Sequence, residues 1–240
     1  MAFIRPWQPK DVEDGKLICR STLPPSLLAS PDAIRISPYL WTLPFTHLSP
    51  STCFVLDDGT GRAVGYVIGT PDVWKLAADY PKYVAEVLQS EEGLRDVPVP
   101  GQLEVPEPWS INNTPGNDGQ EDKVVVEVNP LCLAQQAYKV EWLILDGAKG
   151  KKELVSEYRA MLHINLLEGW RGQGWGRRLI ERFVEAVKGS GRDFGRGIQL
   201  GVSGENTKVV PFYEKMGFRV YPGGEAEGCV WMVRELERDG

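Results

Sequence analysis

The stretch LLEGWRGQGWGR, residues 166–177, decides the fold of this chain. Apolar residues typical of a strand end come first, a glycine-rich turn follows, and residues 174–188 then show the periodicity of an amphipathic helix. The first N–H groups of a helix lack partners and its dipole is positive at that end, so such a junction binds anions. Glycines allow close approach to the backbone, and Arg171 and Arg177 add donors for phosphate oxygens. The stretch therefore predicts a ligand that carries phosphate.

The spacing within this stretch excludes two common kinds of phosphate site. A P-loop needs Gly-Lys-Ser/Thr at the helix start, which is absent. The dinucleotide fingerprint, counted from Gly172, needs a glycine where the chain has Arg177, and this disfavours a nucleotide-binding oxidoreductase. The pattern that remains is Arg-x-x-Gly-x-Gly, formed by Arg171, Gly174 and Gly176. Taken alone, it could also be a turn that only connects a strand to a helix.

A second motif lies downstream of the first. A strand predicted at 198–202 leads through Asn206, the expected N-cap, into a helix at 207–216 that contains the start of FYEKMGF, residues 212–218. These two motifs, in this order, resemble those of the GCN5-related N-acetyltransferases (GNAT), from about residue 160 to 218. Looser similarity in Ile4-Arg5-Pro6, 53–57, 65–69 and 162–167 resembles a subgroup related to the C-terminal acetyltransferase-like domain of O-GlcNAc hydrolase. No glycosidase domain is present, so sugar hydrolysis is not implied.

The resemblance implies an α/β fold and an acetyl-CoA cofactor. The expected GNAT fold is a mixed, mostly antiparallel central sheet that is flanked by helices and splays at the cofactor site, within a single domain over residues 1–240. The pantetheine arm would pair with backbone near Leu166 and Leu167, and Asn206 would bond the arm if it is more than an N-cap. The pyrophosphate would lie on the turn residues Arg171, Gly172, Gln173, Gly174, Trp175, Gly176 and Arg177.

The resemblance implies catalytic roles for some of the expected positions and leaves others open. Tyr213 stands where the family places a general acid for the departing thiolate, although a packed aromatic beside Phe212 is the alternative. Where the subgroup leads us to expect an acidic residue, the chain has Asn165, which cannot act as a base. His163 shares that strand face and could replace the carboxylate, or it could be a structural histidine. Further candidates for the base are Glu157 and Glu168, or a chain of water molecules. Pro211 is expected to kink the helix before Tyr213.

The predicted reaction moves an acetyl group from acetyl-CoA to a primary amine, on a small molecule or a protein. Direct attack in a ternary complex is favoured because no cysteine lies in the two motifs. The alternative is a non-catalytic acyl-CoA-binding or protein-interaction module, which the substitution at Asn165 supports. Neither the acceptor nor the oligomeric state can be read from the sequence.

Composition excludes several other classes. The chain has 240 residues, 42% of them hydrophobic, and a formal charge of −6, so it has enough apolar residues for a core and lacks the basic footprint of a nucleic-acid binder. Two histidines and four cysteines without a Cys-x-x-Cys pair disfavour metal sites and predict buried free thiols. No signal peptide and no apolar run of roughly 20 residues is visible, which predicts an intracellular protein away from membranes, cytoplasmic or nuclear.

The rest of the chain shows weaker patterns. We expect a hairpin from strands 53–57 and 63–69, closed by a turn at 58–61, and helices at 11–22 and 73–88. The proline-rich residues 23–50 predict short helical turns packed on the body. Residues 93–122 predict an exposed, mobile acidic insertion, more plausibly solvated surface than an acceptor-binding loop. Residues 131–145 fit a helix or a strand.

Overall fold

The computed structural model describes residues 1–114, 125–223 and 229–237. Its strands are β1 (Phe3–Pro6), β2 (Phe54–Asp57), β3 (Ala63–Thr70), β4 (Ser110–Thr114), β5 (Val125–Val128), β6 (Ala160–Leu166), β7 (Gly197–Ser203), β8 (Arg219–Val220) and β9 (Cys229–Glu235). Seven of them form one sheet in the order β1-β2-β3-β6-β7-β9-β8, and β4 pairs with β5 separately. Every pairing in the large sheet is antiparallel except that of β6 with β7. The predicted mixed, mostly antiparallel sheet is confirmed.

Helices flank this sheet. They are α1 (Val12–Ser21), α2 (Pro25–Leu28), α3 (Pro31–Trp41), α4 (Leu43–Leu48), α5 (Val73–Tyr83), α6 (Glu91–Asp96), α7 (Pro130–Tyr138), α8 (Glu141–Ile144), α9 (Lys151–Glu157), α10 (Trp175–Lys188) and α11 (Val210–Lys215). A π-helical turn at Val84–Leu88 continues α5 to the predicted end. The ambiguous stretch after residue 130 is helical, since Asn129 accepts a hydrogen bond from Leu131 N and caps α7.

The two sides of the sheet are covered by different apolar clusters. On one side, which we call the α10 face, Phe183 and its neighbours on α10 pack against β6, β7 and β9. On the other, the α4 face, Phe45 of α4 belongs to a larger cluster built with α1, α3, α5 and α7. Gly69 of β3 lies where the α10 face is tightest, because a Cβ there would overlap the Met161 carbonyl and the Phe183 ring.

The sheet opens between β6 and β7. These parallel strands pair only at Ala160 with Ile198 and at Met161 with Gln199. Beyond that point β7 continues to pair with β9 as far as Ser203, so the edges of β6 and β7 diverge. The splay predicted between these two strands is therefore present, and it places unpaired backbone beside the glycine-rich turn.

The segment that we expected to be an insertion is partly ordered secondary structure. Residues 93–114 include the end of α6 and the strand β4, and Val97 is fully buried. The Gln135 side chain of α7 holds the intervening loop, since it donates to the carbonyls of Gln102 and Val105 and accepts from Glu107 N. Residues 115–122 lie outside the described part of the chain, so the mobility of this segment stays a prediction.

Candidate functional site

The backbone of β6 offers hydrogen bonds to the gap at two positions. Leu167 N donates to Val64 O of β3 (3.0 Å), and alternation along the strand therefore turns the peptide groups of Ile164 and Leu166 toward the gap. The Leu167 carbonyl accepts from Trp170 N (2.9 Å). Both backbone groups of Leu167 are thus used inside the protein, which leaves the peptide groups of Ile164 and Leu166 facing the gap.

The turn that follows β6 leaves its backbone open. Gly172 and Gly174 have φ angles of +73° and +80°, in the left-handed region that favours glycine. A Cβ at either position would have no heavy atom within 4 Å, so the space beside this turn is empty. Helix α10 begins at Trp175, and the N–H groups of its first turn have no carbonyl of the same helix to bond. Open backbone and unpaired donors meet at the place predicted for an anion.

Side chains hold the shape of this turn. Arg171 Nε donates to the Leu166 carbonyl (2.9 Å), and Gln173 Nε2 donates to the Gly169 carbonyl (2.7 Å). The terminal nitrogens of Arg171 are not used by any residue that the structure describes, and the side chain is exposed. Arg177 forms an exposed ion pair with Glu181 (2.9 Å), which is worth little and leaves Arg177 free to turn toward a ligand.

Two residues of the turn have packing roles that the sequence did not reveal. Gly176 is buried, and a Cβ there would lie 3.0 Å from Cζ of Phe212, so its small size lets α10 approach the aromatic side chain of α11. Trp175 is half-buried, and the Arg178 guanidinium lies 4.9 Å from the centre of its ring. The approach of Gly176 to Phe212 ties the start of α10 to the segment that carries Tyr213.

Tyr213 has a free hydroxyl in an apolar setting. Its ring lies between Phe212 (5.2 Å between centroids) and Phe218 (5.8 Å). The hydroxyl has no hydrogen-bond partner in the described ranges, and burial raises the pKa of Tyr213 to about 12, so it carries its proton at neutral pH. The kink expected from Pro211 is wrong: Pro211 is the second residue of α11, where its missing N–H would have no partner anyway.

The N-cap predicted at Asn206 is also wrong. Asn206 lies inside a 3₁₀ segment, Gly204–Val209, with non-helical angles of φ −129° and ψ 28°. The cap is Ser203, whose side chain accepts from Glu205 N (3.3 Å). The half-buried Asn206 side chain therefore has no capping role.

His163 lies on the α4 face of β6. The half-buried ring is 5.0 Å from Phe45, and its Nε2 is buried with no hydrogen-bond partner in the described residues. Burial, followed by the positive charge of Lys151, lowers the pKa of His163 to about 4. A group with so low a pKa is a weak proton acceptor at neutral pH. The structure favours the structural alternative over the general base.

Asn165 belongs to a buried polar network. Its Nδ2 donates to the Tyr66 hydroxyl (2.8 Å), which lies 3.3 Å from Oγ1 of Thr42 at the start of α4. Tyr66 and Thr42 are both fully buried. Sequence analysis missed both partners, because they are 99 and more positions away in the chain and carry no motif.

The other candidates for a base are placed differently. Glu157 is at the end of α9, where it pairs with Arg196 (2.7 Å) and accepts from the Tyr221 hydroxyl (3.2 Å). Glu168 is exposed in the 3₁₀ turn after β6. Neither carboxylate occurs in the network that holds Asn165, whose partners among the described residues are hydroxyl groups.

The cysteines are free thiols, as predicted. Cys19, Cys53 and Cys132 are buried, and Cys229 is half-buried. Burial raises the pKa of Cys53 to about 12 and that of Cys19 to about 11, and it also raises the pKa of Cys229. At neutral pH these groups are thiols, which are poor nucleophiles compared with thiolates.

Two other kinds of site were searched for over the ranges 1–114, 125–223 and 229–237. No cluster of three or more histidine, cysteine or acidic side chains that could hold a metal occurs among these residues. In the same part of the chain, no helix combines the length and the apolar character needed to cross a membrane.

Comparison with known proteins finds a domain model and solved structures that are similar to this chain. Residues 141–220 match the model of the acetyltransferase (GNAT) domain. The crystal structure of SsHAT is 28% identical, covers 98% of this chain and 99% of its own, and superposes with a TM-score of 0.69. PH1933 from Pyrococcus horikoshii OT3 is 12% identical over 99% of both chains, with a TM-score of 0.52, and shares the fold.

A third neighbour was solved with a ligand. It is a GNAT superfamily phosphinothricin acetyltransferase from Sinorhizobium meliloti in complex with AcCoA, 15% identical over 98% of this chain and 88% of its own, with a TM-score of 0.46. The splayed sheet, the glycine-rich turn and the matched domain agree with one another. The chain has the GNAT fold, and its residues 141–220 match the model of the acetyltransferase (GNAT) domain.

Proposed function

We propose that this protein transfers an acetyl group from acetyl-CoA to a primary amine. The observation that carries the proposal is the junction of β6, the glycine-rich turn and α10. There, backbone of β6 at Ile164 and Leu166 that has no neighbouring strand leads directly to the open amides at Gly172 and Gly174, and Arg171 Nε donates to the Leu166 carbonyl. A ligand that combines an amide-containing arm with a pyrophosphate fits this sequence of groups, and acetyl-CoA is such a ligand.

The cofactor would bind along the gap. Its pantetheine amides would pair with the peptide groups of Ile164 and Leu166, in the way that a further strand joins a sheet edge. The pyrophosphate would accept from the amides at the start of α10 and from the free guanidinium nitrogens of Arg171. Asn206, released from the capping role, is available to bond the arm.

The chemistry needs positioning and one proton donor. The free amine attacks the thioester carbonyl carbon, a strand N–H stabilises the resulting oxyanion, and the C–S bond breaks to release the thiolate. Tyr213 donates its proton to that sulfur, because its hydroxyl is protonated at neutral pH and unpaired in the described structure. Asn165 cannot accept a proton and His163 accepts one poorly. We therefore assign to solvent the deprotonation of the amine before attack, the removal of a second N–H proton after attack, and the return of a proton to Tyr213.

Direct attack is preferred to an acyl-cysteine intermediate. Each cysteine is a thiol of raised pKa, and Cys19 and Cys53 are buried. We keep the finer resemblance to the O-GlcNAc hydrolase subgroup as part of this proposal, since it depends on β2, β3 and β6, which form the centre of the sheet.

The test separates catalysis from binding. Calorimetry with CoA measures the cofactor site, and thiol release from acetyl-CoA with a panel of amines measures transfer. The proposal expects micromolar or tighter CoA binding together with amine-dependent thiol release. Tight CoA binding without turnover of any amine would favour the non-catalytic module, and no CoA binding would contradict both functions.

A further inference from the structure

The α4 face of the splay contains a buried cation without a counter-ion. Lys151, the first residue of α9, is only 6% exposed. Its Nζ donates to Oε1 of Gln199 (2.8 Å) and lies 5.4 Å from the centre of the Trp231 ring. Over the residues that the structure describes, no carboxylate is within ion-pair distance of Lys151. An ammonium has three donor hydrogens, and the neutral Gln199 amide satisfies one of them.

A second unsatisfied polar group lies near this amine. His163 Nε2, on the same face of β6, is buried and has no hydrogen-bond partner in the described part of the chain. Met161, two residues before His163 on the same face of β6, pairs with Gln199, whose side chain accepts from Lys151, so the two polar groups lie on neighbouring strands. His163 is neutral at neutral pH, and the tautomer with hydrogen on Nε2 would be a donor.

Open space separates β6 from the strand beyond. Gly201 of β7 is exposed although it lies inside a seven-stranded sheet, because β6 has already diverged from β7 at this level. A Cβ at Gly201 would lie 3.0 Å from Sγ of the half-buried Cys229. Gly201 has no side chain to fill this side of the gap, and the next residue but one before it is Gln199, which holds Lys151.

The charge of Lys151 and the hydrogen-bond donors of Lys151 and His163 indicate which chemical group would bind beside them. Burial lowers the pKa of Lys151 to about 8, so at neutral pH most of the amine is still charged and lacks a charged partner. A buried charge is expensive unless it is paired and hydrogen-bonded. One cation and one neutral N–H donor match a singly charged group with two acceptor oxygens, which is a carboxylate.

We propose that Lys151 and His163 bind the carboxylate of the acetyl acceptor, and that the acceptors are therefore amino carboxylates. The inference rests on the proposed function, since it places the amine of the same molecule at the gap between β6 and β7. It names a substrate class: small molecules that carry a primary amine and a free carboxylate.

Matched acceptors test this class. Glycine, β-alanine and γ-aminobutyrate are each compared with the corresponding carboxamide in kcat/KM for thiol release. We expect the wild type to prefer at least one of these carboxylates over its amide by about 10-fold or more, as for a hydrogen bond to a charged group. Lys151→Met should reduce the preference to within about 3-fold. The ratio of kcat/KM for the carboxylate to that for its amide is compared between the wild type and the variant. The different basicity of the two amines affects both proteins equally and therefore cancels.

The chain offers matched controls. Lys152→Met removes the same charge from the next residue, which is exposed, and should keep the wild-type preference. His163→Phe retains a ring against Phe45 and provides an independent variant if Lys151→Met does not fold, as judged by circular dichroism and CoA affinity. An unaltered preference in folded Lys151→Met or His163→Phe, or no preference in the wild type, would overturn the proposal.

Failure of the proposed function gives a different result. If the wild type binds CoA but acetylates no amine, calorimetry of γ-aminobutyrate with the CoA-bound protein tests the carboxylate site alone. Binding that is lost in Lys151→Met would support the site in the absence of transfer. Binding that is missing in the wild type, or equal in the variant, would contradict it.

Discussion

The two faces of β6 differ in how far apart in the chain their partners lie. On the α10 face, Leu162 packs with Leu179, Ile180 and Phe183, all from the helix that follows directly after the turn. On the α4 face, Asn165 meets Tyr66 of β3, and His163 meets Phe45 and the charge of Lys151. The helix that covers β6 on the α10 face is close to it in the chain, whereas the α4 face of β6 is covered by several distant segments. One strand can therefore adjoin one candidate site that a sequence motif predicts and a second candidate site that no motif predicts.

The largest effect should come from a substitution in the glycine-rich turn before α10. Gly174→Glu places a carboxylate in the space beside the turn and should weaken CoA binding by roughly 100-fold or more through bulk and like charge. Gly191→Glu is the matched control, because Gly191 also has a positive φ (+65°) and no heavy atom within 4 Å of a Cβ. Both variants carry similar backbone strain, so calorimetry showing equal CoA affinities would remove the turn from the site.

The next effect concerns the acid. Tyr213→Phe keeps the ring between Phe212 and Phe218 and removes the hydroxyl proton. We expect kcat to fall by about 100-fold, the lower end for general acid catalysis, because CoA thiolate is a good leaving group. CoA affinity and stability should hardly change. Tyr138→Phe, in α7, provides the same change away from the turn, and equal rates in both variants would exclude Tyr213 from the mechanism.

A smaller effect tests the buried state of His163. The folded protein resists protonation of His163 until about pH 4, whereas the unfolded chain takes up the proton near 6.5. The contribution of the neutral His163 ring to the free energy of unfolding is complete above pH 6.5 and is lost as the pH falls toward 4. After a discount for the half-buried ring, we expect a loss of about 2 kcal/mol that His163→Phe does not show. Urea unfolding of both proteins at several pH values measures it, and parallel curves would contradict the buried neutral ring.

The smallest effect concerns the network on the α4 face. Asn165→Ala removes the donor to the Tyr66 hydroxyl and should destabilise the protein by about 1 kcal/mol. A double-mutant cycle with Tyr66→Phe should show a coupling energy of similar size. Additive single changes would mean that the 2.8 Å contact contributes nothing to stability, and would leave Asn165 free for another role.

The elements that could be predicted share strong local signals. The β2–β3 hairpin, the helix α10 and the strand before the turn follow from turn residues, amphipathic periodicity and the glycine pattern. The prediction was wrong for Asn206 and Pro211 because a 3₁₀ segment precedes α11 and moves its start to Val210. A boundary shifted by three residues changes which side chain caps a helix and whether a proline disturbs it.

The sequence by itself determined the junction of β6, the glycine-rich turn and α10. About twenty consecutive residues encode a strand, a turn that needs positive φ at glycines, and a helix start with unpaired amides. What only the tertiary structure decided is the opposite side. Whether Leu167 or Leu166 offers its N–H depends on the register with β3, and the state of His163 depends on Phe45 and on Lys151. Hydrogen-bond direction follows from strand pairing, and a pKa follows from burial and neighbouring charge, so both arise when distant segments pack. The residue type determines which reactions a side chain can undergo. The packed surroundings of that side chain decide which of those reactions occur.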